Sequence, residues 1–177
     1  MSVLVEAVCV IIQRKRLDQT FPGGTDAFLA RSDRRSAEHR YICMDDHLVC
    51  LSYFSPDAAD RGIVPLIREG MTETDDDGFV DFAVLDQRYG PTLPCGWLAW
   101  SRDPSGYGCA WLAGELPGEL SAPEGWTVAS SLRLKRTDIR DFPNRALKLA
   151  DENDVELWLD FHTGRITRVA KRQSFNS

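Results

Sequence analysis

Two acidic residues set inside apolar, strand-like segments are the first places where chemistry could reside. Glu6 interrupts residues 3–12 (VLVEAVCVII), and Asp81 interrupts residues 79–86 (FVDFAVLD). A carboxylate on a covered strand costs free energy unless it is hydrogen-bonded, paired or wet. Two carboxylates brought close together shift each other's pKa and can divide acid and base roles. Asp86 and Arg88 follow at the carboxyl end of the second segment, before the Tyr89-Gly90-Pro91 turn, a common place for ligand-contacting groups. Trp97 and Trp100 come next, and stacked aromatics can form a ligand platform. Glu6, Asp81, Asp86, Arg88, Trp97 and Trp100 are therefore the candidate ligand site. In the competing reading each acid is neutralised by an arginine, such as Arg14 or Arg88, as in many structural ion pairs.

Other constellations carry less. His39, Cys43, His47 and Cys50 fall within twelve residues and are all possible zinc ligands. In a β-hairpin, however, Tyr41, Cys43, Leu48 and Cys50 share one face, with Met44 and His47 on the other, which splits the set. Residues 73–78 (ETDDDG) open like a calcium loop, but Val84 stands where the bidentate Glu belongs, so an acidic surface turn is expected. Cys95 is the best isolated thiol, with no histidine near it in sequence. Phosphate-loop, dinucleotide, nucleophile-elbow and zinc-helix signatures are absent. No cofactor or metal is expected.

The elements that must position these residues can be read in order. Residues 3–12 read as one central strand, rich in β-branched residues. Residues 17–20 suggest a helical turn, FPGG breaks the chain, and Thr25 is placed to cap a helix over 26–34. Residues 40–44 and 47–54 form a hairpin around Asp45-Asp46. Ser55-Pro56-Asp57 starts a helix that stops at Gly70, with a kink or a division expected at Pro65. Residues 79–86 are the next strand. This βαββαβ order matches a ferredoxin-like arrangement, with both helices on one sheet face and a later segment covering the other.

The second half supplies candidates for that cover: a hairpin over 95–101 and 109–112, a weak strand over 127–134, a short helix over 143–150, and a hairpin over 155–161 and 165–170. All five tryptophans lie in this half. The fold class is thus α+β, a ferredoxin-like half over 1–90 with a mostly antiparallel β half over 91–177 packed on its sheet and sharing one core. The LVEAV strand, the FPGG loop, the SPD helix start and the VLDQRYGPTLPC segment are together similar to a group of uncharacterised bacterial proteins over most of the first hundred residues. The resemblance implies a bacterial source and brings no activity, cofactor or catalytic residue.

Composition bounds the function classes. The 177 residues are 43% hydrophobic and 27% charged, ordinary for a globular chain. No apolar run approaches the roughly 18 residues of a membrane span, nor does the N-terminus read as a signal peptide. Five cysteines without a CxxC pair fit reduced thiols in a cytoplasm. Of the net charge of −6, residues 132–177 contribute +3, from ten basic and seven acidic side chains, which leaves −9 for residues 1–131. The mixed charges argue against nucleic acid as a partner. Three functions stay open. The first is a binding or interaction protein with a small-molecule site between the halves. The others are an enzyme using Glu6 or Asp81 as general base with Arg88 holding an anion, and an immunity or antitoxin-like partner of a basic protein. The partner is a small molecule or a protein, and the chain is a monomer or a homodimer through a sheet edge.

Overall fold

A computed structural model describes residues 1–33, 39–131, 146–152, 155–160 and 166–170. The chain is mixed α+β and divides into two compact units, Met1–Arg133 and Leu134–Ser177. The first unit opens with β1 (Ser2–Val5), β2 (Val8–Gln13), α1 (Arg14–Thr20) and α2 (Gly24–Asp33). Next come β3 (Tyr41–Met44), β4 (Leu48–Tyr53), α3 (Pro56–Arg68), β5 (Thr74–Asp75), β6 (Gly78–Phe79) and β7 (Phe82–Asp86). It closes with β8 (Gly90–Pro91), β9 (Leu98–Arg102), β10 (Gly108–Leu112) and β11 (Leu120–Ser121). The second unit contains β12 (Ala146–Glu152), β13 (Val155–Asp160) and β14 (Ile166–Ala170), paired antiparallel in that order with an irregularity between Lys148 and Ala150.

A five-stranded antiparallel sheet runs in the order β3-β4-β2-β7-β8. Its centre is β2, apolar on both faces and buried from Val8 to Ile12. Cross-strand pairs define the faces, because opposed residues in a ladder point the same way. Val8, Val10, Leu51, Tyr53 and Val84 share the face on which α3 packs. Cys9, Ile11, Cys50, Ser52 and Ala83 share the other. That second face meets β1, whose Leu4 carbonyl accepts from the Cys43 and Cys50 thiols at 3.8 and 3.3 Å. A four-stranded sheet in the order β11-β1-β10-β9 carries β1, antiparallel to β10 and parallel to β11. Residues 98–121 therefore join β1 to form the cover that the sequence demands.

The single strand expected over 3–12 is two strands in two sheets. Ala7, at φ 57°, is the one non-glycine residue with positive φ among the described residues, and it turns the chain between them. The side chain of fully buried Gln87 compensates. Its Oε1 accepts from Ala7 N at 2.9 Å while its own backbone N donates to Ala7 O at 2.8 Å, so both peptide groups left over by the break are paired.

The helices differ from expectation in three details. Thr25 does not cap α2 with its hydroxyl; the Asp18 carboxylate instead accepts from Thr25 N at 2.9 Å. The helix α3 starts as expected, with Ser55 Oγ accepting from Ala58 N at 3.2 Å, but runs unbroken through Pro65. Pro65 lies in the last turn, so little helix follows the missing amide hydrogen bond. Gly70, at φ 92°, ends the segment. Further on, residues 127–131 form turns rather than a strand, and residues 146–150, assigned to a helix by sequence, belong to β12. The remainder of that expected helix, the loop joining β13 and β14, and residues 132–134 lie outside the described residues.

The Asp18 contact gives a pH test. The backbone N–H of Thr25, with help from its side chain, holds the Asp18 carboxyl below the usual carboxylate range. A lowered folded-state pKa contributes stability above the unfolded pKa and loses it as pH falls through the folded value. Asp18→Asn is expected to be less stable than the native chain at neutral pH, with the gap closing below about pH 4, as read by denaturant titration at several pH values.

Candidate functional site

The six residues singled out in the sequence do not converge. β2 separates them, with Glu6 beyond its first residue and Asp81 beside its last, where Gln13 N donates to Asp81 O at 3.2 Å. Seven residue steps at about 3.3 Å place the two acids roughly 20 Å apart. Asp81 is not on a strand either, since β7 begins at Phe82. Near Glu6, Val8 pairs with Asp86, and Arg88 binds the Asp86 carboxylate through Nε at 3.0 Å and an amino nitrogen at 2.8 Å. Trp100 lies against Gly90, whose missing side chain leaves room for the indole, and Gly90 is paired with Asp86. Trp97 belongs to the other end, its indole N–H donating to Phe79 O at 3.0 Å.

Both carboxylates are held in place. Glu6 is fully buried, with one oxygen accepting from Arg40 at 2.9 Å and the other from the Trp126 indole at 3.2 Å. Asp81 is buried too, and it accepts from Arg16 Nε at 2.6 Å and from Thr72 N at 2.8 Å. The arginines are not the pair named from sequence. Arg88 serves Asp86, and Arg14 donates to the Asp45 carbonyl at 2.9 Å. Arg16 and Arg40 carried no sequence signal, because each reaches its acid across more than thirty positions of chain.

The thiols are equally committed. Cys43 and Cys50 share a face, as the hairpin predicts, and point at Leu4 O together with the Tyr41 hydroxyl. Hydrogen bonding with Cys43 and Cys9, and then burial, push the Cys50 thiol well above its ordinary pKa. Burial raises Cys95 as well. A raised pKa keeps a thiol protonated and a poor nucleophile. His47 turns away to Glu115, with Nε2 3.3 Å from the carboxylate. In residues 73–78, Asp75 accepts from Asp77 N at 2.9 Å within the short β5–β6 hairpin. Among the described residues, no group of three or more His, Cys, Asp or Glu side chains is placed to hold a metal ion.

A concave site does exist on the helix face of the five-stranded sheet, between α2 and α3. Its volume is about 70 Å³, and its lining is Phe21, Phe28, Leu51, Gly62 and Pro65 with the polar side chains of Arg31, Ser32, His39 and Tyr53. Local sequence explains each wall. The FPGG break turns the chain so that Phe21 meets Phe28 edge-to-face at 5.4 Å. Arg31, one turn along α2 from Phe28, lies over the Phe21 ring at 4.9 Å and reaches Glu69 at 2.9 Å. Tyr53 projects from β4 to α3, where its hydroxyl occupies the space a side chain at Gly62 would fill. His39 meets the Tyr53 ring edge-on at 6.4 Å. Nothing in the sequence marked this site, because its residues come from five separate segments.

Comparison with protein-family models, with curated proteins and with solved structures found no match. Among the described residues, no helix is long and apolar enough to cross a membrane.

The Glu6 centre yields a stability prediction. Arg40→Met removes the Arg40 cation from a buried carboxylate and is expected to cost about 3 kcal/mol. Adding Glu6→Gln should recover part of that loss in equilibrium unfolding. A double variant as unstable as the sum of two large single losses would show that the two groups do not act as a pair.

Proposed function

We propose that this chain is a non-catalytic binding protein with a ferredoxin-like core, taking a small ligand in the cleft between α2 and α3. The observation that carries the reading is the convergence of Arg31, Ser32, His39 and Tyr53 over an apolar floor of Phe21, Phe28 and Leu51. Apolar concavity with a few placed polar groups is the usual make-up of a small-molecule site. The strand order β3-β4-β2-β7, antiparallel throughout and joined by helical crossovers on one face, supports the ferredoxin-like assignment. The pairing of Glu6 with Arg40 and of Asp81 with Arg16 favours binding over general-base catalysis, since a base must be able to reach a substrate proton. Five free cysteines support a reducing, cytoplasmic setting.

The test is amide chemical-shift mapping against a library of small ring-containing fragments. Binders are expected to move the amides of Phe28, Ser32, His39, Leu51 and Tyr53 while those of Ala7, Thr72 and Gln87 stay in place. Shifts centred on Ala7 and Gln87, or on Thr72, would return the site to the Glu6 or Asp81 end of β2.

A further inference from the structure

We infer that the cleft between α2 and α3 selects a small monocarboxylate with a single-ring or branched apolar body. This inference rests on the cleft reading above and names its ligand class. Size comes first. At about 70 Å³ the cleft is small, with room for roughly one ring. The walls then exclude a wholly polar ligand. Phe21 and Phe28 stand nearly perpendicular to each other, and Leu51 and Pro65 add aliphatic contact. Such surfaces favour a ring or a compact branched group.

The polar lining decides the charge. Among the described residues that line the cleft none is acidic, and Arg31 is permanently cationic. Arg31 donates only, and the Ser32 hydroxyl can donate as well as accept. A cationic donor at the rim suits an acceptor group, and a planar carboxylate matches the fork of a guanidinium better than a hydroxyl or an amide does. An ammonium group would meet Arg31 with like charge.

Arg31 already has one acidic neighbour, because one of its terminal nitrogens binds Glu69 at 2.9 Å. That pair is open to water, with side-chain exposures of 55% and 31%, so its hold is weak. The guanidinium lies over the Phe21 ring and has N–H groups beyond the one that binds Glu69. Glu69 therefore acts as a competitor for Arg31 rather than as part of the ligand site. A ligand carboxylate would share or displace it, and removal of the Glu69 charge should strengthen ligand binding.

The experiment titrates the full chain with benzoate, benzamide and benzylammonium, following the amides of Ser32, His39, Leu51 and Tyr53. Benzoate is expected to bind about tenfold more tightly than benzamide, and benzylammonium more weakly than either. Arg31→Gln should remove the preference for benzoate, so that benzoate and benzamide bind with similar affinity. Glu69→Gln, a change at a half-buried residue outside the cleft lining, should tighten benzoate several-fold. Equal binding of benzoate and benzamide, stronger binding of benzylammonium, or an unaltered benzoate affinity in both variants would overturn the carboxylate assignment and leave the cleft as a binding site for neutral or cationic rings. If none of the three compounds moves these amides, the cleft itself is not the site and both readings fall.

Discussion

At Ala7 the backbone takes φ 57°, and this one left-handed residue lets β1 leave the plane of the five-stranded sheet and pack across its face. The carbonyls just before the turn then become acceptors for the sheet below. Leu4 O receives Cys43, Cys50 and Tyr41, and Glu6 O receives Ser52 at 2.7 Å and Cys9 at 3.3 Å. The polar face of an otherwise apolar sheet is satisfied by one short stretch of neighbouring backbone. Leaving a buried donor or acceptor unpaired costs about 1–3 kcal/mol each, so the arrangement removes a large penalty. An L residue in the left-handed region costs about 1–2 kcal/mol, which the Gln87 contacts and this set of bonds offset.

The same turn explains why Glu6 is buried. Its side chain enters the layer between the two sheets, where only a cation and a strong donor make a carboxylate tolerable. Arg40, leading into β3, and Trp126, after the last strand of the cover, supply them. Trp126 also meets Tyr107 edge-to-face at 5.4 Å, so the carboxylate ties the end of the cover to the sheet beneath it. Arg40 is held over the Tyr41 and Phe54 rings at 5.7 Å. A charge locked on all sides in this way organises packing, and chemistry is left to surfaces where side chains still face a cavity.

Much of the core was legible because local signals and tertiary demand agreed. Asp45, whose carboxylate accepts from His47 N and Leu48 N at 2.8 Å, makes the acidic turn that its position between two apolar runs suggests. Ser55 and Pro56 start α3 for reasons contained in four residues. The break at Ala7 was not legible, since VLVEAVCVII has the period and composition of one strand and the partner that makes the turn tolerable, Gln87, is eighty positions away. Pro65 misled because its effect depends on how much helix follows it. Residues 146–150 misled because LKLA has helical propensity, whereas pairing with β13 decides its state. The acids were recognised as unusual, but their arginines and the α2–α3 cleft depend on long-range geometry that no local pattern encodes.

The left-handed turn is tested most directly by the order of stability of two substitutions at Ala7. Glycine adopts positive φ without strain, whereas a β-branched residue resists it and prefers an extended strand. Equilibrium unfolding should find Ala7→Gly within about 1 kcal/mol of the native chain and Ala7→Val less stable by about 2 kcal/mol or more. A valine variant as stable as the glycine variant, or more so, would mean that residues 3–12 run as one continuous strand, and the account of the two layers and of the buried Glu6 would be contradicted.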